Sequence, residues 1–188
     1  YDIRFCDWSS DVCSSDLLQR QLRPLILKTQ ARSHYLVRHE EQSWFRLKPD
    51  LLVRDADRNR LILDTKWKLL DATKTDATAK YGLSQADFYQ LHAYGQAYLD
   101  GQGDVVLIYP KTDTFCEPLP VFNFPKSHGL RLWVLPFCLK SKTLLVPTQG
   151  PVADLLGRRS SSDAFLESQS AGSQAMVAVP EVYSDIGL

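Results

Sequence analysis

Leu61-Ile62-Leu63-Asp64-Thr65-Lys66-Trp67-Lys68 reads as a β-strand. Leu61, Leu63, Thr65 and Trp67 alternate with Ile62, Asp64, Lys66 and Lys68, and successive side chains of a strand point to opposite faces. The alternation puts Asp64, Lys66 and Lys68 side by side and makes Trp67 a core residue on the opposite face. Upstream, Lys48-Pro49-Asp50-Leu51-Leu52-Val53-Arg54 is a second apolar run headed by an acid. The polar stretch Asp55-Ala56-Asp57-Arg58-Asn59-Arg60 between them is a turn, so the two runs form a hairpin. Antiparallel pairing brings Asp50 near Asp64 or Lys66, with the register left open.

An Asp-x-Lys in a strand is, in isolation, a surface ion pair worth little. A second carboxylate across a hairpin gives it different chemistry. Hydrolysis of a phosphodiester needs a positioned water, neutralised phosphate charge and help for the leaving oxygen, and a hard cation supplies much of this. Mg²⁺ takes oxygen ligands and usually only one or two protein carboxylates. Asp50 and Asp64 are the candidate carboxylates, and the backbone carbonyl of Thr65 is a further candidate ligand. Mn²⁺ is the expected substitute ion. Lys66 is placed to contact the scissile phosphate and the attacking water. A pair of carboxylates acting on a sugar is the weaker alternative, because it leaves Lys66 without a role.

Working outward, residues 43–54 read as one strand in which Pro49, lacking a ladder donor, belongs at an edge or a break. Leu69 to Leu83 reads as a polar loop, mobile and over the site. Ser84-Gln85-Ala86-Asp87 matches a capping box, so a helix is expected from Ser84 to Leu99. Phe88, Leu91, Gly95 and Tyr98 form its packing stripe, with Gly95 where the helix approaches a strand closely. Gln90 and Tyr94 lie four residues apart on a neighbouring face. Gln90 is the fourth candidate catalytic residue, as a hydrogen-bond partner for DNA phosphate or the active-site water. Tyr94 is expected to pack with its hydroxyl satisfied, and Lys68 to be solvated; a DNA contact is the functional reading of each.

Asp100-Gly101-Gln102-Gly103 ends the helix, and Asp104 to Tyr109 is the dense apolar run of a strand covered on both faces. Further strands are expected over 119–124 and 130–139, with Pro136 at an edge or bend. Nearer the N-terminus, Leu18, Leu22, Leu25 and Ile26 recur at helical spacing over 17–29, interrupted by Pro24. Tyr35 to Arg38 is a short strand flanked by His34 and His39, to which no role is assigned. The order of elements predicts an α/β fold with a mixed sheet.

The 188 residues suit one domain with appendages. Residues 1–17 repeat Ser-Ser-Asp without periodicity and read as a non-native segment, similar to translated sequencing-adapter DNA, or as a disordered arm. Residues 18–147 read as the functional domain, truncated at its N-terminus, and 148–188 as a mainly disordered tail rich in Ser, Ala and Gln. The zero net charge hides a gradient: residues 44–80 carry nine Lys/Arg against six Asp/Glu, and 150–188 carry two against five. A mildly basic middle suits a phosphate-bearing partner as well as an ordinary mixed surface. Four cysteines without a Cys-x-x-Cys pair suggest neither a zinc ribbon nor a disulfide scaffold, and no apolar run is long enough to span a membrane. A cytoplasmic location is expected.

Pro49-Asp50 followed by Asp64-Thr65-Lys66 resembles the PD-(D/E)xK nuclease motif. With Gln90 and Tyr94 on the next helix and Leu107-Ile108-Tyr109-Pro110 at a strand end, the stretch from Trp44 to Leu139 resembles McrC, the nuclease subunit of McrBC methylcytosine restriction systems. The resemblance implies a restriction-endonuclease-like three-layer sandwich, with a mixed central sheet flanked by helices. It implies a Mg²⁺-dependent endonuclease acting on double-stranded DNA with an AAA+ GTPase partner of the McrB type. The chain has no Gly-x-x-x-x-Gly-Lys-Ser/Thr loop of its own, which agrees with nucleotide binding residing in a partner. The region through which McrC proteins contact that partner is absent or replaced here. The alternative is a catalytically weak nuclease-fold module that docks on and regulates an AAA+ NTPase. Family nucleases often carry another acid on a preceding helix; the nearest, Glu40 and Glu41, read as loop or strand.

Overall fold

The computed structural model describes residues 26–29, 31, 33–55 and 58–157. Among these the chain runs β1 (Ile26–Thr29), β2 (His34–His39), β3 (Gln42–Leu47), β4 (Leu51–Asp55), β5 (Arg58–Thr65), α1 (Gln85–Leu99), β6 (Gly103–Pro110), β7 (Phe122–Asn123), β8 (Leu130–Cys138), β9 (Thr143–Leu144) and α2 (Pro151–Leu156). The predicted segments at 1–17 and beyond residue 157 lie outside the described residues.

The hairpin predicted around the two acids forms. β4 and β5 pair antiparallel, with Leu51 opposite Leu63 and Leu52 opposite Ile62. β5, β6 and β8 then run parallel, so the larger sheet, ordered β1-β4-β5-β6-β8-β7 with β9 also on β8, is mixed as expected. β6 lies between two partners and is covered on both faces. Val105, Leu107 and Tyr109 join Ile62, Leu91 and Tyr94 in one core, while Val106 and Ile108 join Leu61, Leu63, Val152 and Leu156 in the other. That double burial is why its sequence is apolar at successive positions rather than at alternate ones. α1 covers the first face and the short α2 the second. Residues 151–156 are therefore helical and partly buried, although the composition from 148 onward predicts a mainly disordered tail.

Gly95 marks the close approach of α1 to the sheet. A Cβ there would fall 2.7 Å from Leu130 Cδ1 and nearer still to Cδ2, so a side chain has no room. The helix ends on Asp100 in the left-handed conformation (φ 53°), whose N–H donates to the Gly95 carbonyl.

Several local expectations change. Residues 43–54 are two strands, because the chain breaks at Lys48-Pro49-Asp50. β3 pairs with β2 in a separate two-stranded sheet, whereas β4 joins the large one. Pro49 accounts for the break: it has no N–H and restricts Lys48 to extended backbone. The β2–β3 hairpin is tied to α1 through Tyr98, whose hydroxyl proton is shared between the carbonyls of Ala31 (3.1 Å) and Leu47 (3.0 Å). Ile26–Thr29 is not helical but pairs antiparallel with β4, satisfying backbone groups on its open edge. The remainder of the predicted 17–29 helix lies outside the described residues.

The segment after β5 is irregular, but hydrogen bonds tie it down, unlike a free lid. Asp71 accepts from the N–H and hydroxyl of Thr73, Asp76 from the N–H groups of Thr78 and Ala79, and Ala72 N–H reaches the Thr114 carbonyl at 3.0 Å. The 119–124 strand shrinks to Phe122–Asn123. Pro136 sits inside β8, opposite Tyr109. Its carbonyl accepts from Leu145 N–H, on the side away from β6, so its missing donor lies at the end of the β9 pairing and the β6–β8 ladder is unaffected. Among the described residues no helix is long and apolar enough to cross a membrane.

Candidate active site

β5 ends at Thr65 rather than Lys68. The Lys66 N–H still extends the parallel ladder by one bond, to the Ile108 carbonyl at 2.9 Å, and the chain then leaves the sheet. The strand alternation therefore does not carry Trp67 inward: it is 44 % exposed instead of in the core. Lys68 is exposed as well.

Asp50 lies one residue before β4. Continuing the register from the Leu51–Leu63 pair sets it opposite Asp64. Its Oδ2 accepts both the N–H (2.7 Å) and the hydroxyl (2.8 Å) of Thr65. This clamps the loop that follows Pro49 onto the end of β5.

Asp64 is buried, 2 % exposed. The Lys66 ammonium is 2.7 Å from its Oδ2, a close ion pair. Burial, then the nearby Asp50 charge and, more weakly, Asp87, push the Asp64 carboxyl up to about 6 against the pull of Lys66. Burial alone would lower Lys66, but the carboxylates of Asp64, Asp87 and Asp50 outweigh it and hold the ammonium above its ordinary value. The site thus keeps a charged lysine beside a carboxylate that is short of stabilisation.

α1 supplies the other wall. The Lys66 ammonium donates to Gln90 Oε1 (2.8 Å), Gln90 Nε2 donates to the Tyr94 hydroxyl (2.7 Å), and that hydroxyl donates to the Lys48 carbonyl (3.0 Å). Tyr94 is buried with its hydroxyl satisfied on both sides. The chain of bonds locks the lysine, the helix and the segment before Asp50 together. Asp50, Asp64, Thr65, Lys66, Gln90 and Tyr94 are thus brought into one constellation, and Lys68 is not part of it.

Two residues to which the sequence reading assigned no role in the site belong to the same network. Asp87 Oδ1 is 3.8 Å from the Lys66 ammonium, and its Oδ2 accepts from the Tyr109 hydroxyl at 3.0 Å. Burial, and next the Asp87 charge, push the Tyr109 phenol well above its ordinary range. The predicted capping box does not form: Ser84 makes no side-chain cap bond, and the Asp87 carboxylate turns toward Lys66 and Tyr109 instead. The available signal was spacing, since Asp87, Gln90 and Tyr94 at i, i+3 and i+7 share one helix face. Glu40 and Glu41 sit in the β2–β3 turn.

The donor set suits a hard cation. Two carboxylates and a carbonyl are oxygen ligands, and a buried carboxylate whose charged form burial disfavours is one that a cation stabilises. Among the described residues no group of three or more His, Cys, Asp or Glu is placed to hold a metal.

A family model described as "McrBC 5-methylcytosine restriction system component" matches residues 15–110, about half of the chain. The chain belongs to this family. The resemblance drawn from the Asp50, Asp64–Lys66 and Gln90–Tyr94 motifs is borne out at that level. Among solved structures the McrBC family chain is similar to one in the "refined half-complex from tetradecameric assembly of Thermococcus gammatolerans McrB AAA+ hexamers with bound McrC". That likeness has 19 % identity and a TM-score of 0.48, and covers 80 % of this chain and 31 % of that one. The chain thus spans less than a third of the solved chain's length. A search of curated proteins found no match.

Proposed function

We propose that this chain is the McrC-type nuclease subunit of a modification-dependent restriction system, a Mg²⁺-dependent endonuclease that hydrolyses phosphodiesters of double-stranded DNA. The observation that carries the reading is the convergence of Asp50 and Asp64 across β4 and β5, with the Lys66 ammonium 2.7 Å from the buried Asp64. On this reading the sheet with α1 on one face and α2 on the other is a PD-(D/E)xK three-layer sandwich.

Asp50, Asp64 and the Thr65 carbonyl would hold Mg²⁺, with Mn²⁺ as a substitute. The Thr65 N–H already faces Asp50, and in extended backbone a residue's carbonyl projects to the same strand edge as its N–H. When bound, the cation neutralises phosphate charge and acidifies a water. Lys66 supplies positive charge at the scissile phosphate and orients the attacking water. Gln90 holds the ammonium, and Tyr94 holds Gln90. Lys68, exposed just beyond the strand end, would contact a backbone phosphate. Family membership supports a role beside an AAA+ GTPase partner of the McrB type, in the cytoplasm.

The test is cleavage of methylcytosine-containing plasmid by the full chain with a partner GTPase, GTP and Mg²⁺. Lys66→Ala should reduce cutting on the order of a hundredfold or more while DNA binding persists. Cutting that survives in Lys66→Ala, or in excess EDTA, would refute the assignment. GTPase stimulation without cutting by the unmutated chain would point instead to a docking module.

A further inference from the structure

We infer that Asp87 is a second anionic seat for the Lys66 ammonium, fixed in place by Tyr109, which retains the lysine in the site when a cation engages Asp64. The second half of this inference rests on the nuclease reading; the contact itself does not. Three acceptors surround the ammonium: Asp64 Oδ2 at 2.7 Å, Gln90 Oε1 at 2.8 Å and Asp87 Oδ1 at 3.8 Å. Only two of them carry charge. Gln90 offers a hydrogen bond but cannot balance an ammonium. A cation on Asp64 would compete for the carboxylate that Lys66 now contacts and would repel the ammonium at the same time. Asp87 is then the anion to which the lysine can move, a little over 1 Å further than its present partner.

The seat is built rather than incidental. Tyr109 is 0 % exposed on the central strand β6, so its hydroxyl is a fixed point of the core. It donates to Asp87 Oδ2, which leaves Oδ1 turned to the lysine. Asp87 also stands in the first turn of α1, where the helix dipole favours an acid. Its side chain and that of Lys66 are both largely shielded, 18 % and 23 % exposed, so solvent screens the pair only partly. Asp87 is therefore a positioning residue: it acts on the reaction through Lys66.

A double-mutant cycle on the full chain reads this directly. Asp87→Asn, Lys66→Met and the pair are unfolded with urea, once in EDTA and once in saturating Mg²⁺. The expected Lys66–Asp87 coupling in EDTA is about two- to fivefold in the folding equilibrium constant, the scale of a partly exposed ion pair. It should be larger in Mg²⁺. Tyr109→Phe should shrink it, and should do nothing further in the Asp87→Asn background. Calorimetry with Mg²⁺ alone should show Asp87→Asn binding within about twofold of the unmutated chain, whereas Asp64→Asn binds far more weakly. In the partner-complemented cleavage assay Asp87→Asn should lower kcat about tenfold at unchanged KM. Coupling that is zero, or that fails to grow with Mg²⁺ bound, overturns the inference and leaves the nuclease reading standing. Mg²⁺ affinity falling in Asp87→Asn as far as in Asp64→Asn overturns it too, by making Asp87 a ligand. No Mg²⁺ binding by the unmutated chain overturns the nuclease reading, and with it the cation half of the inference.

Discussion

Removing the charge of Asp64 should make the metal-free protein more stable. The carboxyl is buried and pushed from 3.8 up to about 6, so the folded state binds its proton more tightly than the unfolded chain does. Ionised Asp64 therefore destabilises the fold above pH 6, and the cost fades as pH falls from 6 towards 3.8. The shift corresponds to about 3 kcal/mol at pH 8. Asp64→Asn removes that cost, and because the shift already includes the attraction of Lys66, nothing further is subtracted for the lost ion pair. The expectation is a gain of up to about 3 kcal/mol, or roughly 6–12 °C in Tm for a chain of this size. Lys66 stays charged throughout, and its attraction to Asp64, lost as Asp64 takes up its proton below pH 6, is already counted in the Asp64 shift. Urea unfolding of both proteins in EDTA at pH 8 and pH 4 gives the answer. At pH 8 the variant should be the more stable, and at pH 4 the two should nearly coincide. Adding Mg²⁺ at ten times its Kd should stabilise the unmutated chain alone, by about 1.4 kcal/mol, and narrow or reverse the order. A variant less stable than its parent at pH 8, or a gain that persists at pH 4, would show that Asp64 is not a buried charge held against its own burial.

Two stability predictions test the packing that positions the site. Gly95→Ala forces a methyl group into the Leu130 side chain, and should cost about 1–3 kcal/mol by thermal unfolding; an unchanged Tm would mean that α1 can lift off the sheet freely. Tyr98→Phe leaves the Ala31 and Leu47 carbonyls without their shared donor, and should cost about 1–3 kcal/mol while speeding amide exchange selectively in the β2–β3 hairpin. Exchange that rises uniformly across the protein instead would show that Tyr98 does not anchor that hairpin specifically.

What could be read in advance follows how local each determinant is. Periodicity placed β5, α1 and β8, and an unbroken apolar run placed β6, because each is long enough for burial to mark its residues. The pairing of Asp50 with Asp64 was legible because a polar turn joins two apolar runs and leaves few ways to close a hairpin. The register was not, since it depends on β6 and α1 as well. Ile26–Thr29 misled for a related reason: Leu18, Leu22, Leu25 and Ile26 suit a helix locally, but the open edge of β4 decides the state of the last four residues. Asp87 was hidden by a competing local signal. Ser-x-x-Asp satisfies a capping rule, and only the tertiary approach of Tyr109 and Lys66 shows that the carboxylate is used elsewhere.

The early end of β5 explains how Asp64 and Lys66, two residues apart, can differ so much in freedom. Asp64 is still inside the sheet, with Leu107 opposite it on β6 and its side chain almost wholly buried, so its carboxylate has little room to move away from unfavourable charge. Lys66 has left the strand by one residue. Its N–H is still held by the Ile108 carbonyl, which fixes where the side chain starts, but beyond the strand end no sheet neighbour dictates where it points. The direction is set instead by α1, through Gln90 and Asp87. Had the strand run on to Lys68, as the alternation alone suggests, the lysine would stand fixed on the Asp64 face and its position would not depend on the helix. Ending the strand at Thr65 transfers that control to α1, and Trp67, freed from the sheet at the same point, loses its place in the core.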